Sequence, residues 1–237
     1  MLQLKNLTVR IADKEILHSI NYDFKPGVVY AIMGPNGSGK STLAQTVMGS
    51  PVYSLDEKSE ILFKGEKMND LTADERAKKG IFLSFQTPMS LAGVTVFQLL
   101  RLALTGKKEA VDVRDELVKL AGELKIPDEL LSRSLNEDFS GGEKKKMEVL
   151  QAAMLDAELM FFDEIDTGTD VDALKIIGEF LHKLASKNRT IVLITHYTRL
   201  LQYVAPDVVL VLKDGKLVKE AAGTFANEIE KSGYANV

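Results

Sequence analysis

The chain has 237 residues, 45% of them apolar, which suits one large α/β domain or two small ones with a real core and is too apolar for disorder. Its formal charge of −4 excludes a nucleic-acid footprint spread over the whole surface, although a local basic patch stays open. With no cysteine there is no disulfide framework and no thiolate metal site, and a reducing, cytoplasmic setting is expected.

The first residues, Met1 to Arg10, alternate like a strand and lack the apolar core of a signal peptide. No apolar run approaches the length of a membrane span, so no direct membrane insertion is expected and any work at a membrane would pass through a partner. Residues 2 to 24 read as two or three strands, Leu2 to Val9, Glu15 to Leu17 and Ile20 to Phe24. Pro26-Gly27 then introduces the buried strand Val28 to Met33.

Directly after it stand Gly34, Pro35, Asn36, Gly37, Ser38, Gly39, Lys40, Ser41 and Thr42, followed by helix-forming residues up to Met48. A strand, a glycine-rich loop and a helix are the context that the P-loop pattern requires. The glycines let backbone N–H groups turn inward around a phosphate, and the helix N-terminus adds partial positive charge. Lys40 then reaches β- and γ-phosphates while the Ser41 hydroxyl joins Mg²⁺, so ATP and Mg²⁺ are the expected ligands.

A strand pair is expected at Glu60 to Phe63 and Lys67-Met68, and Thr72 to Glu75 has the form of a capping box for a short helix closed by Gly80. The strand Ile81 to Gln86 ends on a glutamine that by itself reads as a surface residue. From Thr95 to Leu135 the texture is helical, with no linker to set it apart, so it reads as an insert in one domain.

Ser140-Gly141-Gly142-Glu143 satisfies the rule for an ordinary helix start, and Lys144-Lys145-Lys146 can be a solvated face. That reading leaves the glycine pair unexplained, because two glycines in a first turn cost about 1 kcal/mol each against alanine. A phosphate approaching the backbone is one reason for them. The apolar strand Glu158 to Phe162 ends in Asp163-Glu164. Carboxylates there can be plain loop residues, yet a P-loop protein needs one on Mg²⁺, which Asp163 can supply, with Glu164 then placed to orient or deprotonate water. Asp170 is expected to cap a helix from Val171 to Ser186. His196 ends the strand Thr190 to Thr195; a lone histidine is usually structural, but this strand end is where such sheets bind ligands. A short helix, the strand Val208 to Leu212, a hairpin turn at Asp214-Gly215 and a last helix near Phe225 to Lys231 complete the chain.

In this order the P-loop, Gln86, the Ser-Gly-Gly-Glu run, Asp163-Glu164 and His196 resemble the ATP-binding-cassette (ABC) ATPases over essentially the whole chain. The resemblance implies an α/β P-loop NTPase with a RecA-like core, an N-terminal antiparallel β subdomain and a helical subdomain. It implies one domain over 1–237, the catalytic core lying in 1–86 and 158–237 and the helical subdomain in 87–157. It further implies an ATP-dependent homodimer in which Ser140, Gly141 and Gly142 of one copy cover the γ-phosphate held by the other copy's Lys40. Gln86 would couple metal and water to the helical insert, Glu164 would be the catalytic carboxylate, His196 would hold the γ-phosphate, and Thr167 to Asp170 would cross the dimer interface. An aromatic that often stacks on adenine is Ile11 here, so base contact is expected to be apolar.

Within the family the chain looks most similar to the SufC group, the soluble ATPases of SUF iron–sulfur cluster assembly. Phe139 to Lys145, Asp163 to Gly168 with Asp170 and Asp172-Ala173-Leu174, His196 to Tyr203 with Pro206-Asp207, and Gly233-Tyr234 carry that likeness. Thr167, Thr169 and Met147-Glu148 depart from it. It implies SufB/SufD-type partners docking around residues 86 to 104. The alternatives are the nucleotide-binding subunit of an ABC membrane transporter and a nucleotide-gated scaffold of negligible turnover.

Overall fold

The computed structural model describes residues 1–185, 188–196 and 198–234. β1 (Leu2–Ile11) and β2 (Lys14–Phe24) form an antiparallel hairpin with Leu2 opposite Phe24 and Ile11 opposite Lys14. The sequence suggests a break inside β2, but the strand runs through it. Asn6 and Ser19 take φ near 48° at register shifts, and their amides bond the Asn21 and Thr8 side chains, so bulges absorb the irregularity. β4 (Ser54–Leu55), β5 (Glu60–Phe63) and β6 (Glu66–Lys67) complete this antiparallel sheet, with β5 on the other edge of β1.

The second sheet has the order β13-β12-β3-β11-β10-β7. β3 (Val29–Met33), β7 (Ile81–Leu83), β10 (Leu159–Asp163), β11 (Thr190–Ile194) and β12 (Val208–Lys213) are parallel, and β13 (Lys216–Ala222) is the antiparallel edge. Every residue of β3, β10 and β11 is buried, as a parallel sheet covered on both faces requires. Alternation divides the two cores: Val29, Ala31 and Met33 face one cluster, while Tyr30 and Ile32 face the cluster beneath the antiparallel sheet.

The helices are α1 (Lys40–Met48), α2 (Ala73–Lys78), α3 (Val96–Ala103), α4 (Ala110–Glu123), α5 (Asp128–Ser132), α6 (Gly141–Met154), α7 (Val171–Ala185), α8 (Leu201–Val204) and α9 (Phe225–Ser232). The expected end of α7 at Ser186, like Tyr197 in the family likeness, lies outside the described residues. The stretch from Thr95 to Leu135 is not wholly helical. β8 (Leu91–Thr95) pairs with β9 (Ser134–Leu135), and two such short strands have no periodicity to read. Among the described residues no helix is long and apolar enough to cross a membrane.

Because β3, β11, β10 and β7 are parallel neighbours, the loops that follow these four strands gather at one end of the sheet. The P-loop follows β3, Gln86 lies just past β7, Asp163-Glu164 ends β10 and His196 lies just past β11. Residues far apart in sequence thereby meet where open α/β sheets bind ligands.

Candidate functional site

The P-loop closes on Gly39, the residue before α1, whose φ of 100° an L side chain tolerates poorly. No side chain caps α1 and its first turn holds no acidic residue, so its amides keep their pull on an anion. Lys40 is 5% exposed, and its ammonium donates to Gly34 O at 2.9 Å and Pro35 O at 3.0 Å. Burial lowers its pKa, against the opposing charges of Glu164 and Asp163.

The carboxylates at the end of β10 sit in different surroundings. Asp163 is 2% exposed, and its amide donates to Ser84 Oγ at 3.0 Å. Burial raises its pKa, while a hydrogen bond with the Ser41 side chain lowers it. Its Oδ1 is buried with no hydrogen-bond partner, an arrangement that fits a hard cation shared with the Ser41 hydroxyl. Glu164 instead turns outward on a φ of 51°, a strained backbone for a non-glycine residue. Its Oε2 accepts from Gln86 Nε2 at 3.0 Å, and its Oε1 lies 3.3 Å from His196 Nε2. Burial, then the nearby Lys40 charge, depresses the His196 pKa against the pull of Glu164, so the imidazole is neutral at neutral pH.

These groups border a cleft of about 650 Å³ that includes Asn36, Gly37, Gly39, Lys40, Ser41, Thr42, Gln86, Glu164 and His196. Ile11, Lys14 and Ile16 form its other wall, so the apolar contact expected of Ile11 lies within reach of the cleft. A phosphate-binding loop, a buried carboxylate with a free oxygen and an outward carboxylate beside a neutral imidazole can together hold a triphosphate with a cation and activate water.

Ser140, Gly141 and Gly142 are not on that cleft wall within one chain. Ser140 and Glu143 close the expected capping box: Ser140 Oγ accepts from the Glu143 amide at 3.3 Å, and the Ser140 amide donates to Glu143 Oε2 at 2.7 Å. The glycine pair has a reason inside the chain itself. A Cβ on Gly141 would sit 2.9 Å from Gly168 O, and one on Gly142 would sit 3.1 Å from both Ala173 Cβ and Asp170 Oδ2. The two glycines thus have an intrachain reason beside the phosphate that the sequence suggests. Asp170 does cap α7, accepting from the Ala173 amide at 2.8 Å.

The reading of three consecutive lysines as a solvated face fails at Lys145, which is 5% exposed. Its ammonium donates to Gln86 O at 3.1 Å and lies 3.5 Å from Phe85 O. One turn on, Glu148 accepts from the Phe85 amide at 2.7 Å, and burial pushes its carboxyl up to about 7. The pair ties α6 to the backbone that carries Gln86. Its i,i+3 spacing, followed directly by the mostly apolar run from Val149 to Met154, was the available signal. Also missed was Asp166, buried, whose Oδ2 accepts from Thr195 Oγ1 at 2.5 Å and so anchors the loop after Glu164 beside His196.

Comparison with known proteins shows the family and the fold. The ABC transporter family model matches residues 17–167. A probable ATP-dependent transporter, ycf16, of Pyropia yezoensis is 41% identical over 99% of this chain and 96% of its own length. A probable ABC transporter ATP-binding protein of Streptococcus pyogenes serotype M18 is 42% identical over 100% of this chain and 94% of its own. The structure of an ATP-binding cassette of an ABC transporter in its ADP conformation aligns with a TM-score of 0.79 at 25% identity, covering 100% of this chain and 95% of that one.

Proposed function

We propose, from the premise that this chain belongs to the ABC transporter family and is an ATPase using ATP and Mg²⁺, that it is the ATP-driven motor of a soluble iron–sulfur cluster assembly complex. In this reading the chain is one domain, with the catalytic core in 1–86 and 158–237 and the helical subdomain in 87–157. The backbone of Gly34 to Gly39, with Lys40, Ser41 and Thr42, cradles the phosphates. Ser41, Asp163 and Gln86 hold Mg²⁺, which supplies neutralisation of phosphate charge when bound. Glu164 orients and deprotonates the attacking water, and His196 donates a hydrogen bond to the γ-phosphate as charge develops on it.

The observation that carries this assignment is the meeting of Gln86, Glu164 and His196 around one carboxylate. Each side chain comes from a different strand end, and bulk packing gives no reason for the three to converge. Ser140, Gly141 and Gly142 act in trans, over the phosphates held by a second copy. The test is Glu164→Gln. Hydrolysis falls on the order of 10³-fold while ATP still binds, and an ATP-bound dimer accumulates on size-exclusion chromatography. An unchanged turnover rate removes Glu164 from this role.

The partner reading is of the SufB/SufD type, in a cytoplasmic complex. Supporting it are the SufC-like runs, Ile165 where many transporter ATPases have proline, and a chain without cysteine that can supply motion while another subunit carries the cluster. An apolar hollow of about 220 Å³ beside Gln86, lined by Phe82, Phe85, Met89 and Leu99, gives the partner a seat next to the catalytic glutamine. Phe85 and Met89 are 60% and 64% exposed there. A second reading, the nucleotide-binding subunit of a membrane transporter, is favoured by the names of the relatives. Affinity capture from native extract separates them: soluble partners bearing iron and sulfide support the first, and a polytopic membrane protein supports the second.

A further inference from the structure

The chain's last described residues lie against its first catalytic loop. After α9, Gly233 takes a φ of 67° that turns the backbone, and Tyr234 packs its ring on the main core. The Tyr234 hydroxyl accepts a hydrogen bond from the Gly34 amide at 3.1 Å. The carbonyl of that same Gly34 holds the Lys40 ammonium at 2.9 Å. One glycine is thus fixed on its N–H side by Tyr234 and on its C=O side by the lysine of the P-loop. A side chain could not take its place, because a Cβ there would lie 1.9 Å from Leu212 O.

The helix that precedes Tyr234, α9, also reaches the segment that follows His196. Thr198, 1% exposed and two residues beyond His196, donates its hydroxyl hydrogen bond to Glu230 on α9. α9 itself is pinned by buried Ala226 and Ile229, so both bonds start from a fixed base. Local folding of α9 does not explain them. Its amphipathic face already secures the helix, whereas Tyr234 and Glu230 spend their polar atoms on two loops that belong to other strands.

We propose that α9 and Tyr234 form a positioning strap for the nucleotide site, Tyr234 setting the P-loop through the Gly34 peptide and Glu230 setting the His196 loop through Thr198. This rests on the reading of the cleft given above. The two arms have separable consequences. The P-loop meets ATP in the ground state, so loosening it weakens binding. His196 acts on developing charge, so loosening its loop slows the chemical step.

The test is made on the full chain with Mg·ATP. Tyr234→Phe keeps the ring and deletes the hydroxyl. It raises both KM and the equilibrium Kd for ATP about fivefold, with kcat changed less than about twofold. Glu230→Ala lowers kcat about fivefold and leaves KM within about twofold. Glu230→Gln, which keeps an acceptor for Thr198, restores kcat, and Thr198→Val reproduces Glu230→Ala from the buried side. The strap is overturned if these variants lower the thermal midpoint but leave both kinetic constants at wild-type values, or if Glu230→Gln is as slow as Glu230→Ala. Glu164→Gln, run in parallel, separates the two ideas: an active Glu164→Gln protein indicts the site assignment, whereas an inactive one with normal Tyr234→Phe and Glu230→Ala kinetics indicts the strap alone.

Discussion

Among the described residues two helix starts carry glycine at the cap or in the first turn, α1 and α6, and they are built differently. At α1 the residue before the helix is Gly39, with no capping side chain and no acidic residue in the first turn. At α6 the first turn is already closed by Ser140 and Glu143, and the glycines admit the chain's own Gly168 to Ala173 segment. The first start leaves its amides without a side-chain cap or a compensating charge; the second is capped and charge-compensated from within. Glycine near a helix N-terminus therefore marks a close approach of something, and only the neighbours show whether that is ligand or backbone.

The largest expected effect follows from breaking that symmetry. Lys40→Ala weakens ATP binding by a single copy on the order of a hundredfold. Ser140→Ala leaves that binding within about twofold, while it lowers hydrolysis, which needs both copies. Equilibrium titration of dilute protein measures the first pair of values, and equal losses in the two variants would erase the distinction.

An effect of similar size sharpens the structural side of α6. The Glu148 carboxyl is raised from 4.5 to about 7 by burial. Its contribution is fully present below 4.5 and is lost as pH rises through about 7, since the unfolded chain releases the proton first. Glu148→Gln keeps an acceptor for the Phe85 amide and removes the titration. Between pH 4.5 and 8 the wild type loses up to about 3 kcal/mol against this variant in urea unfolding. Parallel pH profiles would refute the burial argument.

Next comes Gly141→Ala, expected to cost the nucleotide-free protein about 1 kcal/mol net, because the new Cβ would lie 2.9 Å from the Gly168 carbonyl oxygen while alanine favours the helix. A neutral result in thermal unfolding would return the glycine pair to a purely ligand-based explanation. The smallest is Glu143→Ala, about 0.5–1 kcal/mol. The Ser140 bonds lower the Glu143 pKa, so its contribution is present above the ordinary carboxylate value and fades as acid is added. A variant indistinguishable from wild type in unfolding at pH 7 would show the capping box to be incidental.

Contiguous features were legible. The P-loop is a single run of residues, β3, β10 and β11 are short continuous apolar runs, and the Thr72 and Ser140 capping boxes are local spellings with local bonds. Less was legible where partners are remote. Gln86 reads as a surface residue and is exposed, yet its amide sits on Glu164, 78 positions away. The ordinary reading of Lys145 failed because a lysine's burial depends on which carbonyls stand opposite it. β8 and β9 escaped notice because neither has a hydrophobic pattern long enough to register.

By itself the sequence determined the phosphate loop, the alternation of strand and helix and the carboxylates at the end of β10, because each is encoded by neighbours along the chain. The tertiary structure alone decided that Gln86, Glu164 and His196 share one cleft, that Lys145 and Glu148 grip the Gln86 backbone, and that Tyr234 meets Gly34. The physical reason is strand order: which strand ends become adjacent is fixed by how the whole core packs, and no local spacing carries that information.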